Sequence, residues 1–330
     1  MTRFRVGIIG IGSMGLLHQQ ALSKLGIDVM AVMSRQQEKG RAIAQRIGAT
    51  YCRSIHELVQ TGVDVVLVAT PTVSHAQILL ELIEEGVRNI FCEKPLVRTL
   101  EETEKIQEIC KKERIRLGIG YKMRFESGFR MAKEMVARGI IGPLQFLAFD
   151  YFQTTPPQPW YLESGVVHEI LSHVIDLGNW LVAGSPLEVF CKTQNFQKGT
   201  MEDRAYLVLH YSSGVVATIH GGWLGGYPEF PGKQRRNICF QLVGEGGYIA
   251  GIRGLKLFVC RDGEEKILEV HLADAVVEEL RGFFDALDQG QPPPVGLREG
   301  VFVQAIIEAA LRSAASGKME RVLPLWEYGD

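Results

Sequence analysis

Long apolar runs are missing from this sequence. None reaches the length needed to cross a bilayer, so no membrane partner is expected. An excess of one charge is missing too. Lysine and arginine number 36 against 38 acidic residues, for a net charge of −2, which gives no electrostatic reason to expect nucleic acid. "KQRR" at 233–236 is the only short basic patch. Cysteine is sparse. The six stand at 52, 92, 110, 191, 239 and 260, with no CxxC pair and no cysteine–histidine cluster of zinc spacing. No metal is therefore expected, and reduced thiols in a cytoplasm are the simplest reading. The opening "MTRFRVGIIGIGSMG" carries two arginines, but its apolar run is short and broken by glycines, with no small-residue cleavage site. It does not read as a signal peptide.

What is present is alternation. "FRVGIIGI" (4–11), "DVMAVMS" (28–34), "TYCRS" (50–54), "DVVLVAT" (64–70), "NIFCE" (89–93) and "IRLGIGY" (115–121) are short apolar runs, and helix-patterned segments lie between them. That order predicts βαβ units around a parallel sheet buried on both faces. Thr99 and Glu102 form a capping-box pattern ahead of the helix at 100–113. Beyond about residue 125 the runs lengthen, and "YSSGV" and "RDGEE" are hairpin-turn signals. The second part is therefore expected to be α+β, with a large, mostly antiparallel open sheet. Its boundaries read as 1–122 for the first domain and 123–330 for the second. A chain of 330 residues suits two cores.

"GIIGIGSMG" (7–15) places Gly10, Gly12 and Gly15 as G-x-G-x-x-G between the first strand and the first helix. Gly10 permits the tight turn, Gly12 leaves room for a pyrophosphate, and Gly15 allows close packing of helix on strand. Ser13 and Met14 belong to the same turn, and the helix N-terminus supplies donors and partial positive charge. Dinucleotide binding is expected. About twenty residues on, where an acid would accept from the ribose hydroxyls of NAD, Ser34 and Arg35 stand instead. A hydroxyl and a guanidinium suit a 2′-phosphate, which favours NADP over NAD. Thr70, Pro71 and His75 follow the fourth strand and are candidate cofactor-edge residues, with Ser74 an alternative N-cap. "CEKPL" (92–96) sets Glu93 and Lys94 at the end of the fifth, and both are candidate cofactor-binding residues.

The set "GIGSMG", "ATPTVSH" (69–75), "CEKPL" and "GYKMRF" (120–125), followed by an antiparallel half, resembles the Gfo/Idh/MocA family of NAD(P)-dependent sugar and cyclitol dehydrogenases and reductases. The resemblance covers nearly the whole chain, and implies a Rossmann domain followed by a substrate domain. It implies that Lys94 sits beside the nicotinamide and the reacting hydroxyl. It also implies that "EILSHVID" supplies an acid and a histidine, here Glu169 and His173, followed by Asp176. At helical spacing these three share one face. Glu169 departs from the more frequent aspartate. His168 and His173 are five apart, which argues against a shared zinc.

The scheme expected is hydride transfer to or from nicotinamide. His173 acts as base, Lys94 as stabiliser of the alkoxide, and Glu169 as orienting group or substrate ligand. Tyr121 is the rival proton carrier, read here as a packing aromatic. Lys122, Arg124, Trp160 and Tyr161 are candidate substrate contacts. The reverse reaction on a keto-sugar and a non-enzymatic NAD(P)-binding regulator stay open as alternatives. A homodimer or homotetramer through the C-terminal sheet is expected.

Overall fold

The computed structural model describes residues 4–154, 164–224, 236–252 and 256–323. The chain divides into two compact units, 1–122 with 274–304, and 123–273 with 305–330.

The first unit is built on six parallel strands: β1 (Val6–Ile9), β2 (Val29–Met33), β3 (Thr50–Cys52), β4 (Val65–Val68), β5 (Asn89–Glu93) and β6 (Arg116–Gly120). Their order is β3-β2-β1-β4-β5-β6, so the chain reverses direction across the sheet between β1 and β4. Ligands of such sheets bind outside the carboxyl ends at that point. All four residues of β1 and of β4 are buried, as expected of strands covered on both faces. The crossover helices are α1 (Ser13–Lys24), α2 (Gln37–Ile47), α3 (Ile55–Gln60), α4 (His75–Glu84) and α5 (Leu100–Lys112). The start of α5 is fixed by the predicted capping box, with Thr99 accepting from the Glu102 N–H and Glu102 reaching back.

The segment 274–304 joins this unit rather than the second, a difference from the contiguous 123–330 read from sequence. The physical reason is apolar. The helix Ala275–Asp288 buries Val276, Leu280, Phe283 and Phe284 in the same core as Val6, Ile8 and Phe91. Phe283 lies edge-on to Phe91 at 5.3 Å and fills the notch at Gly118, where a Cβ would come within 2.6 Å of the ring.

The second unit is a nine-stranded sheet, ordered β14-β13-β12-β11-β7-β10-β9-β8-β15. Its strands are β7 (Leu144–Thr154), β8 (Pro186–Gln194), β9 (Arg204–Tyr211), β10 (Val216–Leu224), β11 (Arg236–Gly244), β12 (Gly247–Ile252), β13 (Lys256–Arg261), β14 (Glu264–Glu269) and β15 (Glu320–Arg321). Among the described residues of this sheet, only β7 and β10 pair in parallel. The two predicted hairpin turns form. In the second, Asp262 and Gly263 both take positive φ, 53° and 81°, the demand of a two-residue turn. Helices α6 (Ser127–Ala137) and Ser172–Leu181 belong to this unit, the latter buried along most of its length. Among the described residues no helix is long and apolar enough to cross a membrane.

Candidate active site

At the carboxyl edge of the first sheet, the glycine turn is held by its own backbone. Gly10 has φ of 90°, and a Cβ on it would strike the Ala69 carbonyl oxygen at 2.4 Å. A Cβ on Gly15 would fall 1.9 Å from the Gly10 oxygen. Both glycines are thus required by the fold. Gly12 is different: its φ is −70°, and a Cβ there would meet nothing within 4 Å. Nothing in the protein asks for glycine at that position, so the open space suits a group brought from outside. The first turn of α1 has no acidic residue and no side-chain cap, which leaves its N–H groups for an anion. These residues fit the pyrophosphate of a dinucleotide. Ser13 is exposed at the turn, and Met14 Sδ lies 3.6 Å from Lys122 Nζ. At the end of β2, Ser34 Oγ accepts from the Gln36 N–H at 3.2 Å, and Arg35 is exposed.

Thr70 and Pro71 are half-buried at the end of β4. Ser74 does not cap α4. Its hydroxyl turns back to Thr70 Oγ1 and to the Pro71 carbonyl, at 2.9 and 2.8 Å. His75 is wholly buried. Its Nε2 lies 2.9 Å from the Thr70 carbonyl, and its Nδ1 lies 3.0 and 3.2 Å from those of Pro95 and Leu96. Burial pushes its pKa down against the pull of those carbonyls. The ring therefore braces the edge from within instead of lining it, tying the end of β4 to the turn just after Lys94.

Lys94 follows β5 directly, half-buried, and joins Pro95 through a cis peptide bond. Glu93 is buried, and its Oε1 lies 2.7 Å from His18 Nε2 on α1. Burial alone would raise the Glu93 pKa. The hydrogen bond from His18, with the charges of His18, Lys122 and Lys94, brings it below the usual carboxylate range. Tyr121 is wholly buried, in keeping with a packing role.

In the second unit the motif "VHEIL" forms a π-turn, Val167–Leu171, in which the Ser172 N–H reaches the Val167 carbonyl. An i→i+5 closure inserts a residue into the turn and rotates Glu169 relative to His173, so simple α-helical spacing does not describe this face. It also weakens the spacing argument about His168 and His173. Among the described residues, no group of three or more His, Cys, Asp or Glu side chains is gathered as metal ligands would be. Glu169 and His173 are both buried. The turn is held at its start by Glu202, whose Oε1 accepts from the Val167 N–H at 3.1 Å, and burial raises the Glu202 pKa. Gly165, at φ of 82°, leaves the space that this carboxylate fills.

Asp176 is gripped by Arg124 in a two-bond fork, Nε to Oδ2 at 2.8 Å and Nη2 to Oδ1 at 2.6 Å. The side chains are 10% and 1% exposed. Arg124, expected at a substrate, is an interior brace: the carboxylate of Asp176 draws its guanidinium inward, beside the Trp180 ring at 5.9 Å. Trp160 and Tyr161 lie outside the described residues, as does Arg235.

Sequence reasoning missed His18, Glu202 and the Arg124–Asp176 fork. For His18 one signal was available, a histidine on the buried face of α1 with Gly15, Ala21 and Leu22. For the other two no local pattern exists.

Comparison with known proteins places this geometry. Residues 4–121 match the family model described as "Oxidoreductase family, NAD-binding Rossmann fold", and residues 129–250 match the "GFO/IDH/MocA C-terminal domain". A myo-inositol 2-dehydrogenase of Thermotoga maritima is 26% identical over 97% of this chain and 99% of its own. An oxidoreductase of Agrobacterium radiobacter, solved with NAD+, L-tartaric acid and magnesium, shares the fold with a TM-score of 0.88 at 19% identity, covering 97% of this chain and 99% of that one. So does the WlbA dehydrogenase of Bordetella pertussis, solved with NADH and UDP-GlcNAcA, with a TM-score of 0.82 at 22% identity over 98% and 99%. With both of its halves matched, the chain belongs to the Gfo/Idh/MocA family of NAD-binding Rossmann-fold oxidoreductases.

Proposed function

We propose that this protein oxidises a secondary alcohol of a cyclitol or sugar to the ketone, with Lys94 and His173 handling the hydroxyl proton. The observation that carries the reading is Lys94 at the carboxyl end of β5, in a sheet whose glycine turn keeps an open position at Gly12. Similarity to a myo-inositol 2-dehydrogenase over nearly its whole length supports a polyol substrate. The bound nicotinamide supplies the hydride acceptor. The His173 imidazole takes the hydroxyl proton, being the side chain whose ordinary pKa lies nearest neutrality. The Lys94 ammonium donates to the same oxygen and stabilises the negative charge that develops there. Glu169 orients the imidazole or binds a neighbouring hydroxyl. Lys122 contacts substrate, with Trp160 and Tyr161 as stacking partners for a sugar ring.

The cofactor reading favours NADP over NAD, because β2 is followed by Ser34 and Arg35 with no carboxylate to meet a 2′-hydroxyl. That same preference supports the reverse reaction, reduction of a keto-sugar, as the second reading. The units 1–122 and 123–330, apart from the returning segment 274–304, act as cofactor domain and substrate domain. We also propose a homodimer or homotetramer through the outer face of the second sheet. There Phe152, Tyr206 and His220 cluster, with His220 stacked on Tyr206 at 4.1 Å. A hollow of about 350 Å³ lies on the same sheet, lined by Ala148, Cys239, Ile252 and Phe258 among others. Six scattered cysteines with no CxxC pair accord with a reducing cytoplasm.

The test is turnover of NAD+ or NADP+ with a panel of inositols and sugars, followed at the reduced-nicotinamide absorbance band. Lys94→Met is expected to lose a factor of about 10²–10⁴ in kcat. Full turnover by Lys94→Met overturns the mechanism. Tight cofactor binding with no turnover of any panel member favours the regulator.

A further inference from the structure

One pair of buried titratable groups has no part in that scheme. His18 is wholly buried on α1, and its Nε2 lies 2.7 Å from Glu93 Oε1. The His18 Nδ1 has no hydrogen-bond partner among the described residues. On its other side the Glu93 carboxyl group lies against β6. A Cβ on Gly120 would sit 3.0 Å from the carboxyl carbon, so a larger residue there makes the carboxyl group shift. Lys94 is the next residue in the chain, and Lys122 follows Gly120 by two.

A carboxylate removed from water is costly unless it is paired and hydrogen-bonded. Here it is both, at the sheet edge where the reacting lysine emerges. His75 faces the same region from α4 and holds the backbone on the far side of Lys94. The lysine is thus bracketed, with its preceding residue fixed through His18 and its following residues through His75.

We propose that His18 and Glu93 form a positioning pair for Lys94. His18 keeps the buried carboxylate ionised and fixed, and the carboxylate keeps the Lys94 ammonium charged and held at the nicotinamide edge. The inference rests on the assignment of Lys94 to the reacting oxygen. The charged and titratable groups facing Glu93 are His18 from α1, His75 from α4, Lys122 after β6, and its own neighbours Cys92 and Lys94.

The signs follow from removing one charge at a time. Glu93→Gln takes away a neighbouring anion, so the Lys94 ammonium gives up its proton at lower pH, by about one unit. His18→Leu leaves the carboxyl buried without its hydrogen bond. Its pKa then rises, and activity is lost on the acid side and recovered as pH increases. Glu93→Gln shows no such recovery.

Competitive acetylation of the apo protein across pH, read by mass spectrometry on the Lys94 peptide, measures the midpoint without cofactor or substrate. A fall of about one unit in Glu93→Gln, with exposed Lys24 unmoved, supports the pair. Gly120→Ala keeps both charges but displaces the carboxyl group, and a midpoint shifted in the same direction is expected. It serves as the second variant should Glu93→Gln fail to fold. Rate profiles with the nicotinamide cofactor and panel member that turn over then test the pH recovery of His18→Leu. An unmoved Lys94 midpoint beside an inactive Lys94→Met overturns the pair alone. A lowered midpoint beside a fully active Lys94→Met overturns the catalytic reading, and the role of the pair with it.

Discussion

The Arg124–Asp176 fork allows a sharp test of what the second acid of the helical motif does. The perturbation is Asp176→Asn, which keeps the shape and removes the charge. The two bonds, 2.8 and 2.6 Å, are both formed by buried groups. Charge centres about 4 Å apart at an effective dielectric of about 20 attract by ~4 kcal/mol. Breaking one side of a buried pair costs ~3–5 kcal/mol, much of it the price of a guanidinium left without its counter-charge. Asparagine still accepts one of the two bonds, so a loss of ~3 kcal/mol is expected. Urea unfolding followed by tryptophan fluorescence reads it directly, since Trp180 lies 5.9 Å from the Arg124 guanidinium. With a slope of ~2–3 kcal/mol per molar urea, the midpoint falls by about 1 M. The double variant Arg124→Met, Asp176→Leu should recover more than half of what Asp176→Leu alone loses, because no orphaned charge remains. If Asp176→Asn unfolds within ~0.5 kcal/mol of wild type, the fork does not hold this helix, and the acid is then better assigned to His173.

The glycine turn offers a contrast between fold and ligand. Gly15→Ala drives a Cβ to 1.9 Å from the Gly10 oxygen and should lower Tm clearly, whereas Gly12→Ala meets nothing within 4 Å and should leave Tm unchanged while weakening NADH binding in a fluorescence titration roughly 10-fold or more. Equal effects on Tm would refute the distinction. Glu202 has a folded pKa raised by burial, so between its unfolded and folded values the native state holds more protons, and its contribution to stability declines as pH rises through that window. Glu202→Gln should therefore match or exceed wild type in thermal unfolding at pH 7. Glu202→Ala should fall by ~1–2 kcal/mol, because the Val167 N–H loses its acceptor. Burial drives the Cys110 and Cys191 thiols up to about 12, so an aromatic disulfide reagent should reach half-exposed Cys239 and Cys260 first and leave those two unmodified until unfolding.

The features readable in the sequence are those whose physics is local. Thr99 and Glu102 are three residues apart, and their capping box forms as written. The glycine spacing at 10, 12 and 15 specifies a strand, a tight turn and a helix, all within one segment. Asp262-Gly263 sets a hairpin because two adjacent residues must take positive φ. What stayed hidden depends on partners distant in the chain. His18 and Glu93 are 75 residues apart, and Arg124 and Asp176 are 52 apart. No residue type announces the π-turn at Val167–Leu171. Its register follows from packing and from the Glu202 carboxylate, 35 residues beyond Val167. The helix Ala275–Asp288 is visibly amphipathic, yet amphipathicity does not say which sheet it will cover.

That helix sets a timetable for synthesis. The six strands of the first sheet are complete by Gly120, yet Phe283, Phe284 and Leu280, which finish its core, are translated more than 150 residues later. At ribosomal rates of roughly 5–20 residues per second, the nascent sheet must wait for tens of seconds at the slower rates with the Gly118 notch uncovered and Phe91 unpacked on that side. A helper that shields apolar surface would act in that interval, and a stop codon between residues 121 and 275 would leave a dinucleotide fold with all its strands and an open flank.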